Sequence, residues 1–430
     1  MNPGPGGGLV SVSADFAGRT PISSNIAVEN RVKPICPYPL SALSRMNPLA
    51  SQFENALNSL PGEPDRYAVE VVNLILRMAQ AHAVSDVHLL PQPGDKLDMS
   101  WRIDGVLTPV CSLTKLTKNI VSRLKVLAHL LTYRTDVPQE GRIQGADDGI
   151  DMRISTFPTL HGEKAVIRLF VAPKEFHYLE DLGLADDILT GLNSMLNKTS
   201  GVVVIAGPAG TGKTTTLYAS LRTILRDAPQ PRSLCTLEDP VEALIPGIAQ
   251  TQVKRDTELT YQRGLASLMR QDPDVIMVGE IRDHETAQTV FQASLTGQLV
   301  LTSFHAGSAA EALSRLSDMG IEPYVIRSGL SGILAQQLLR QCCSCVTDAG
   351  TSADCPQCHG TTFNGRMVLA ELLTPNFPGL TEALLQRAPA QDFAHLAANS
   401  GMRTLRQAAN AAVEQGLTTE LEVFRVLGPQ

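Results

Sequence analysis

A fold of the α/β class is predicted for the C-terminal half of the chain: a mostly parallel sheet covered by helices on both faces, with a smaller mixed α+β domain ahead of it. Three observations predict it. From about residue 200 onward, short and continuously apolar runs alternate with helical patterns, as in strands buried on both faces. The first of those runs leads directly into a glycine-rich loop and then a helix. Between residues 65 and 171, by contrast, the apolar runs are short, partly alternating and separated by turns, with a helical pattern inserted among them.

Residues 1–60 are rich in Gly, Pro and Ser and hold no sustained period, so an irregular N-terminal extension is expected there. No basic residue precedes an apolar core at the N-terminus, so a secretory signal is not expected there. A helix follows from about Asp65 to Ala83, with Ala68, Val72, Ile75, Leu76, Ala79 and Ala83 at helical spacing and Asp65 placed to cap it. Strands are expected at Ser85–Leu90, Leu97–Ile103, Val106–Val110, Ile150–Ser155 and Ala165–Val171, with Asp104-Gly105 as a turn and a helix at about Lys118–Leu131. The α+β domain then covers 61–175 and a linker 176–184, within a stretch from Pro173 to Leu184 that reads as a connection into the next helix. A helix at Ala185–Leu196 opens the larger domain, 185–430, whose strands are expected at Val202–Ala206, Ser233–Leu237, Val275–Val278 and Leu299–Ser303.

The run Gly207-Pro208-Ala209-Gly210-Thr211-Gly212-Lys213-Thr214-Thr215 satisfies G-x-x-x-x-G-K-[ST] between a strand and a helix. The glycines let successive backbone N–H groups point at a phosphate, and the helix N-terminus adds partial positive charge. Lys213 reaches the β- and γ-phosphates, and Thr214 can ligate Mg²⁺. Two acidic clusters end later strands: Glu238-Asp239-Pro240-Val241-Glu242, and Glu280 after Val275–Gly279. In an open parallel sheet the carboxyl ends of neighbouring strands meet at one crevice, so both clusters are expected to face the γ-phosphate. His305 stands just beyond a third strand end.

Together these blocks resemble the ATPase superfamily that powers type II secretion and type IV pilus assembly, the GspE/PulE/PilB-like group. The resemblance runs from about residue 65 to 375. Ser85-Asp86-Val87-His88, Arg102–Leu107, Pro138–Ile143, Arg153–Thr156, His161–Lys164 and Ile167-Arg168-Leu169 are similar to that family's second N-terminal domain. Leu237–Glu242 resembles its Asp box, Leu268–Asp283 its Walker B segment and Thr296–Ala306 its His box. The resemblance implies a RecA-like P-loop NTPase core with a PAS-like N-terminal domain, hydrolysing ATP with Mg²⁺ held by Thr214 and Glu280. It implies that Glu242 activates the attacking water, that His305 senses the γ-phosphate, and that Arg142 and Arg153 are swung toward the nucleotide. Arg102 and Arg168 are read as surface ion pairs. It further implies a homohexamer, cytoplasmic and held at the inner membrane by platform and docking proteins. Two departures stand out. Gln298 replaces the first His-box histidine, and only residues 1–60 stand where a docking domain is expected.

Five of the eight cysteines fall between residues 342 and 358. Without a secretory signal such a cluster reads as a metal site, not a disulfide framework. The pairs Cys342-x-x-Cys345 and Cys355-x-x-Cys358 suit a structural, tetrahedral Zn²⁺, with Cys343 complicating the ligand choice and His359 spare. Gly365–Leu373 resembles the segment after the family's tetracysteine motif, which belongs to its assembly and secretion branch.

Composition narrows the alternatives. Thirty-six Lys and Arg against 43 Asp and Glu give a net charge of −7, and aromatics are 4%, so neither a basic nor a stacking surface for nucleic acid is expected. No apolar run approaches the roughly 18 residues of a membrane span. A retraction or conjugative-pilus motor of the same superfamily, and a non-catalytic nucleotide-gated scaffold, are the alternatives to a secretion or assembly motor.

Overall fold

The computed structural model describes residues 48–60, 64–144, 151–169, 176–253, 259–346, 355–358 and 360–429, together with Met1. All of these except Met1 belong to one compact body. The expected linker residue Pro173 and the spare ligand His359 lie outside the described residues.

Helices α1 (Pro48–Asn58) and α2 (Pro64–Ala81) precede strands β1 (Asp86–Gln92), β2 (Lys96–Ile103) and β3 (Val106–Leu113). Helix α3 (Thr117–Leu127) then leads to β4 (Gln139–Gln144), β5 (Asp151–Thr159) and β6 (Gly162–Leu169). The six strands make an antiparallel sheet in the order β3-β2-β1-β6-β5-β4. Asp104 and Gly105 form the two-residue turn between β2 and β3, with φ of 48° and 81°. Left-handed backbone at both positions matches the right-handed twist of the hairpin.

Alternation directs Val87, Leu89, Met99, Trp101, Ile154 and Ile167 to one face, where they bury against Val71, Val72 and Ile75 of α2 and Ile120 and Leu124 of α3. Each such side chain fully withdrawn from water contributes roughly 1.5–3 kcal/mol. Two parts of this layer depart from the sequence expectation. Residues 48–58, expected to be irregular, form α1, and its fully buried Phe53 meets Trp101 edge-to-face at 5.8 Å between ring centroids. A helix this short draws its stability from tertiary packing, so its own sequence carries little signal. The polar run Gln139–Gln144 forms β4 because it completes a ladder with β5 at the sheet edge.

The second layer begins with a short 3₁₀ turn, Leu179–Leu182, and α4 (Asp186–Leu196). Then come β7 (Gly201–Ala206), α5 (Lys213–Asp227), β8 (Leu234–Glu238), β9 (Ala249–Gln252), α6 (Tyr261–Leu268) and β10 (Val275–Val278). Next are α7 (His284–Leu295), β11 (Leu299–Phe304), α8 (Ala309–Asp318), α9 (Pro323–Gly329), β12 (Leu330–Cys342) and β13 (Phe363–Leu373). Helices α10 (Leu380–Leu385), α11 (Ala390–Asn399), α12 (Leu405–Glu414) and α13 (Glu420–Leu427) finish the chain. The sheet order is β13-β12-β7-β11-β10-β8-β9, parallel throughout except for β13.

Strands β7, β8, β10 and β11 are buried along their whole length. Val202, Val204 and Ala206 join one core with α7 and α8, whereas Val203 and Ile205 join the other with α4 and α5. Successive side chains of one strand thus feed opposite cores, which is why these strands read as unbroken apolar runs. Strands β9, β12 and β13 were not expected. β12 carries Gln336 and Gln337, both buried, inside an apolar stretch, and its polar pair masks the strand.

One buried ion pair ties α3 to β6. The Lys125 ammonium, fully withdrawn from solvent, donates to Glu163 Oε1 and to the Arg134 carbonyl, each at 2.7 Å. Removing one partner of a buried pair leaves an uncompensated charge. Glu163→Ala is therefore expected to lower stability by about 3–5 kcal/mol, measured by urea unfolding.

Candidate nucleotide site

The loop between β7 and α5 is built from backbone conformations that its glycines permit. Gly210 and Gly212 take φ of 76° and 84°, and Gly212 caps α5. Two left-handed residues this close turn successive N–H groups toward one concavity. Thr211 Oγ1 donates to the Pro208 carbonyl at 3.0 Å, and the Lys213 ammonium donates to the carbonyls of Gly207 and Pro208, both at 2.8 Å. Loss of surrounding water lowers the Lys213 pKa, an effect that the nearby Glu280 opposes.

The first acidic cluster ends β8, and its two glutamates are held differently. Glu238 is buried and accepts hydrogen bonds from Tyr218 Oη, from Thr236 Oγ1 at 2.7 Å and from Gln250 Nε2 at 3.1 Å. Glu242 lies on the loop beyond, where its Oε1 accepts from Thr214 Oγ1 at 3.4 Å and its backbone N–H donates to Tyr218 Oη at 3.1 Å. Part of the Glu242 side chain stays exposed, but the chain packed round its carboxyl group thins the water there. That loss, and then the Glu238 carboxylate, raise its pKa; Thr214, Arg153 and Arg168 pull it down.

Glu280 follows β10, on a turn whose far end is secured by Asp283, which caps α7 by accepting from the Thr286 N–H at 2.8 Å. Its carboxylate pairs with Arg282 on one side and lies 3.4 Å from His305 Nε2 on the other. Arg282 also reaches Asp239 at 3.8 Å. His305 sits between the end of β11 and α8, with its carbonyl accepting from Arg315. Partial loss of water, then the Lys213 charge, lower its pKa below the ordinary value; Glu280 raises it, and Arg282 and Arg315 lower it further. The imidazole is therefore neutral at pH 7.

The strand ends thus bring Lys213, Thr214, Glu242, Glu280 and His305 to one crevice. Gln298 is elsewhere. It precedes β11 and accepts from Thr296 Oγ1 at 2.8 Å, whereas His305 follows the strand. The six residues of β11 separate them by about 20 Å.

The arginines come from the other sheet. Cross-strand register sets Arg142 opposite Arg153, Arg153 opposite Arg168, Arg168 opposite Asp86 and Asp86 opposite Arg102. This row lies on the face away from that sheet's core, and the charges of Arg153 and Arg168 are felt at Glu242. Arg168 donates to Asp86 at 2.8 Å, as an ion pair, and also belongs to the group acting on Glu242, a second role that its sequence context does not reveal. Nor does the sequence single out Tyr218, which bonds both Glu238 and Glu242, or Arg282, which pairs with Glu280.

The cysteine cluster corrects one predicted ligand. The Sγ atoms of Cys343, Cys345, Cys355 and Cys358 lie within 4.8 Å of one another, with 3.8 Å between Cys343 and Cys355 and 3.4 Å between Cys345 and Cys358. Four thiolates around one tetrahedral Zn²⁺ would stand about 3.8 Å apart, so this donor set fits the ion. Cys342 is not in the set. It closes β12 opposite Phe363 with its N–H on the Leu417 carbonyl, while the next residue donates to Thr362. Successive side chains of an extended chain point to opposite sides, and here the inward one belongs to Cys343. Backbone N–H groups of Cys358 and Gln357 pull the Cys355 thiol down to about 7, whereas loss of water pushes the Cys345 and Cys358 thiols up.

The charges around His305 make a two-sided expectation. Its ring titrates below 6.5 in NMR spectra assigned with His305→Gln. Lys213→Met moves the midpoint up and Glu280→Gln moves it down. Shifts of the opposite sign would refute this arrangement.

Comparison with known proteins places this geometry. The family profile described as Type II/IV secretion system protein matches residues 63–425. The chain is 38% identical over 391 residues to the type II secretion system protein HxcR of Pseudomonas aeruginosa, across 89% of this chain and 82% of that one. It is 37% identical to the type IV pilus assembly ATPase PilB of Thermus thermophilus, across 85% of this chain and 43% of that one. Among solved structures, the Legionella pneumophila ATPase DotB superposes with a TM-score of 0.64 at 19% identity, across 85% of this chain and 98% of that one, a likeness of fold. The second layer is accordingly a RecA-like core, and the chain belongs to the type II/IV secretion system protein family as one of its ATPases.

Proposed function

We propose that the protein hydrolyses ATP to ADP and phosphate as a homohexameric motor that drives type II protein secretion or assembly of a type IV pilus or pseudopilus. The observation that carries this reading is the meeting of the Lys213–Thr214 loop with Glu242, Glu280 and His305 at adjacent strand ends. ATP binds along residues 207–215, its phosphates held by backbone N–H groups and Lys213. Thr214 and Glu280 would hold Mg²⁺, which neutralises charge on the phosphates when bound. Glu242 accepts a proton from the attacking water, and its raised pKa brings it nearer to the working range of a general base. His305, neutral and paired with Glu280, reports on the γ-phosphate.

The arginine row supplies the remaining charge. Arg142, Arg153 and Arg168 stand in register on one face, which offers guanidinium groups to an approaching anion. Arg142 and Arg153, with Arg168 beside them, would stabilise charge on the transferring phosphoryl group. Movement of this arm relative to the second layer would convert turnover into motion. The domains follow the boundaries 61–175, 176–184 and 185–430. Cys343, Cys345, Cys355 and Cys358 would hold a structural Zn²⁺ that ties down a loop without a core of its own. No helix among the described residues is long and apolar enough to cross a membrane. Association with the inner membrane is assigned to platform and docking partners, with the ring on the cytoplasmic side, as the likeness to secretion and pilus-assembly proteins suggests.

Lys213→Ala is expected to abolish turnover, and Glu242→Gln to retain ATP binding while phosphate release falls by about 10²-fold or more. Normal phosphate release by Glu242→Gln would sink the mechanism. Zinc measured in the purified chain is expected to be lost in Cys343→Ala and retained in Cys342→Ala; the reverse would restore Cys342 as the ligand.

A further inference from the structure

Strand β12 runs parallel to β7 with Leu334 opposite Ile205 and Ala335 opposite Ala206. Gln336 therefore stands beside Gly207, where β7 turns into the phosphate loop. A Cβ on Gly207 would come within 2.6 Å of the Gln336 carbonyl, so the two backbones touch there. The Gln336 side chain is 2% exposed, and both ends of its carboxamide are engaged. Nε2 donates to the Thr211 carbonyl at 2.6 Å, and Oε1 accepts from Thr216 Oγ1 at 2.9 Å.

The first of these bonds has a directional consequence. A trans peptide is planar, with its C=O and N–H pointing opposite ways. Holding the Thr211 carbonyl toward β12 turns the Gly212 N–H away from β12. In a loop of this kind those N–H groups are the phosphate ligands, and one rotated peptide removes a ligand. Thr216 lies one turn into α5, with its N–H on the Gly212 carbonyl, so the second bond steadies the carboxamide against the helix.

We propose that Gln336 is a positioning residue for ATP binding, holding the Thr211–Gly212 peptide in the orientation that presents the Gly212 N–H to phosphate. The proposal rests on reading residues 207–215 as the ATP site. Buried, with both ends of its carboxamide taken up inside the protein, Gln336 acts through the loop carbonyl. Its effect therefore falls on KM for ATP rather than on kcat.

The test uses the full chain and steady-state ATPase kinetics, with a fluorescent ATP analogue to measure affinity. Gln336→Met conserves length and volume but removes both polar ends. It is expected to raise KM and the dissociation constant about tenfold or more, with kcat changed less than threefold. Gln336→Glu, which retains the acceptor for Thr216 but sets an oxygen against the Thr211 carbonyl, is expected to raise KM as well, measured above pH 8. Thr216→Val breaks only the bond to the helix and is expected to keep KM within twofold. A wild-type KM in Gln336→Met, or an equal rise in Thr216→Val, overturns the proposal. Lys213→Ala is measured alongside. If it is inactive while Gln336→Met behaves as wild type, the positioning role alone fails. If it binds and turns over normally, the ATP reading of the loop fails and the positioning role fails with it.

Discussion

The hydrogen bond from the Gly207 N–H to the Phe304 carbonyl, 3.2 Å long, is the last rung between β7 and β11. Everything in the site depends on the parallel register that this rung ends. Because Ala206 stands opposite Phe304, the phosphate loop and His305 leave the sheet side by side. Because Val278 stands opposite Thr302, Glu280 emerges next to them. A slip of one residue in either ladder would exchange the two faces of a strand and send apolar side chains into the wrong core. Burial on both faces of β7, β10 and β11 therefore holds the chemistry in place.

Charge in the crevice is arranged around Glu280. It offsets Lys213, pairs with Arg282 and adjoins His305, so one carboxylate moderates three basic groups. The Asp-box side divides differently. Glu238 is held by Tyr218, Thr236 and Gln250, whereas Glu242 stands on the loop beyond, beside Thr214. Tyr218 bridges the two by also accepting the Glu242 backbone N–H. The opposing sheet contributes its arginines as a row fixed by β-register, independent of loop conformation.

Contact between the two sheets extends to the cysteine knuckle. The Asp104 carboxylate, at the tip of the β2–β3 turn, accepts from the Gly365 N–H at 3.1 Å and lies 3.7 Å from Arg366. Gly365 and Arg366 belong to β13, whose first residues adjoin Cys343 and Cys358 through Thr361 and Thr362. The hairpin β12–β13 thus touches the arm at one end, while Gln336 on its first strand holds the phosphate loop.

Local chemistry was legible wherever one short segment contains its whole mechanism. The phosphate loop, the Asp104-Gly105 turn and the apolar strands of the core follow from residue order, because backbone geometry and burial pattern are local properties. The grouping of the cysteines into a candidate metal site was likewise readable from their spacing. Tertiary structure alone decided the rest. Cys343 replaces Cys342 because the pleat at the end of β12 selects which thiol turns inward. Phe53 belongs to a core because Trp101 awaits it from another element. Arg168 comes within electrostatic reach of Glu242 and Gln336 reaches Thr211, each through packing or register between segments far apart in sequence. Spacing along a chain encodes which groups are present. Which of them meet is set by ladders and packing that no single segment contains.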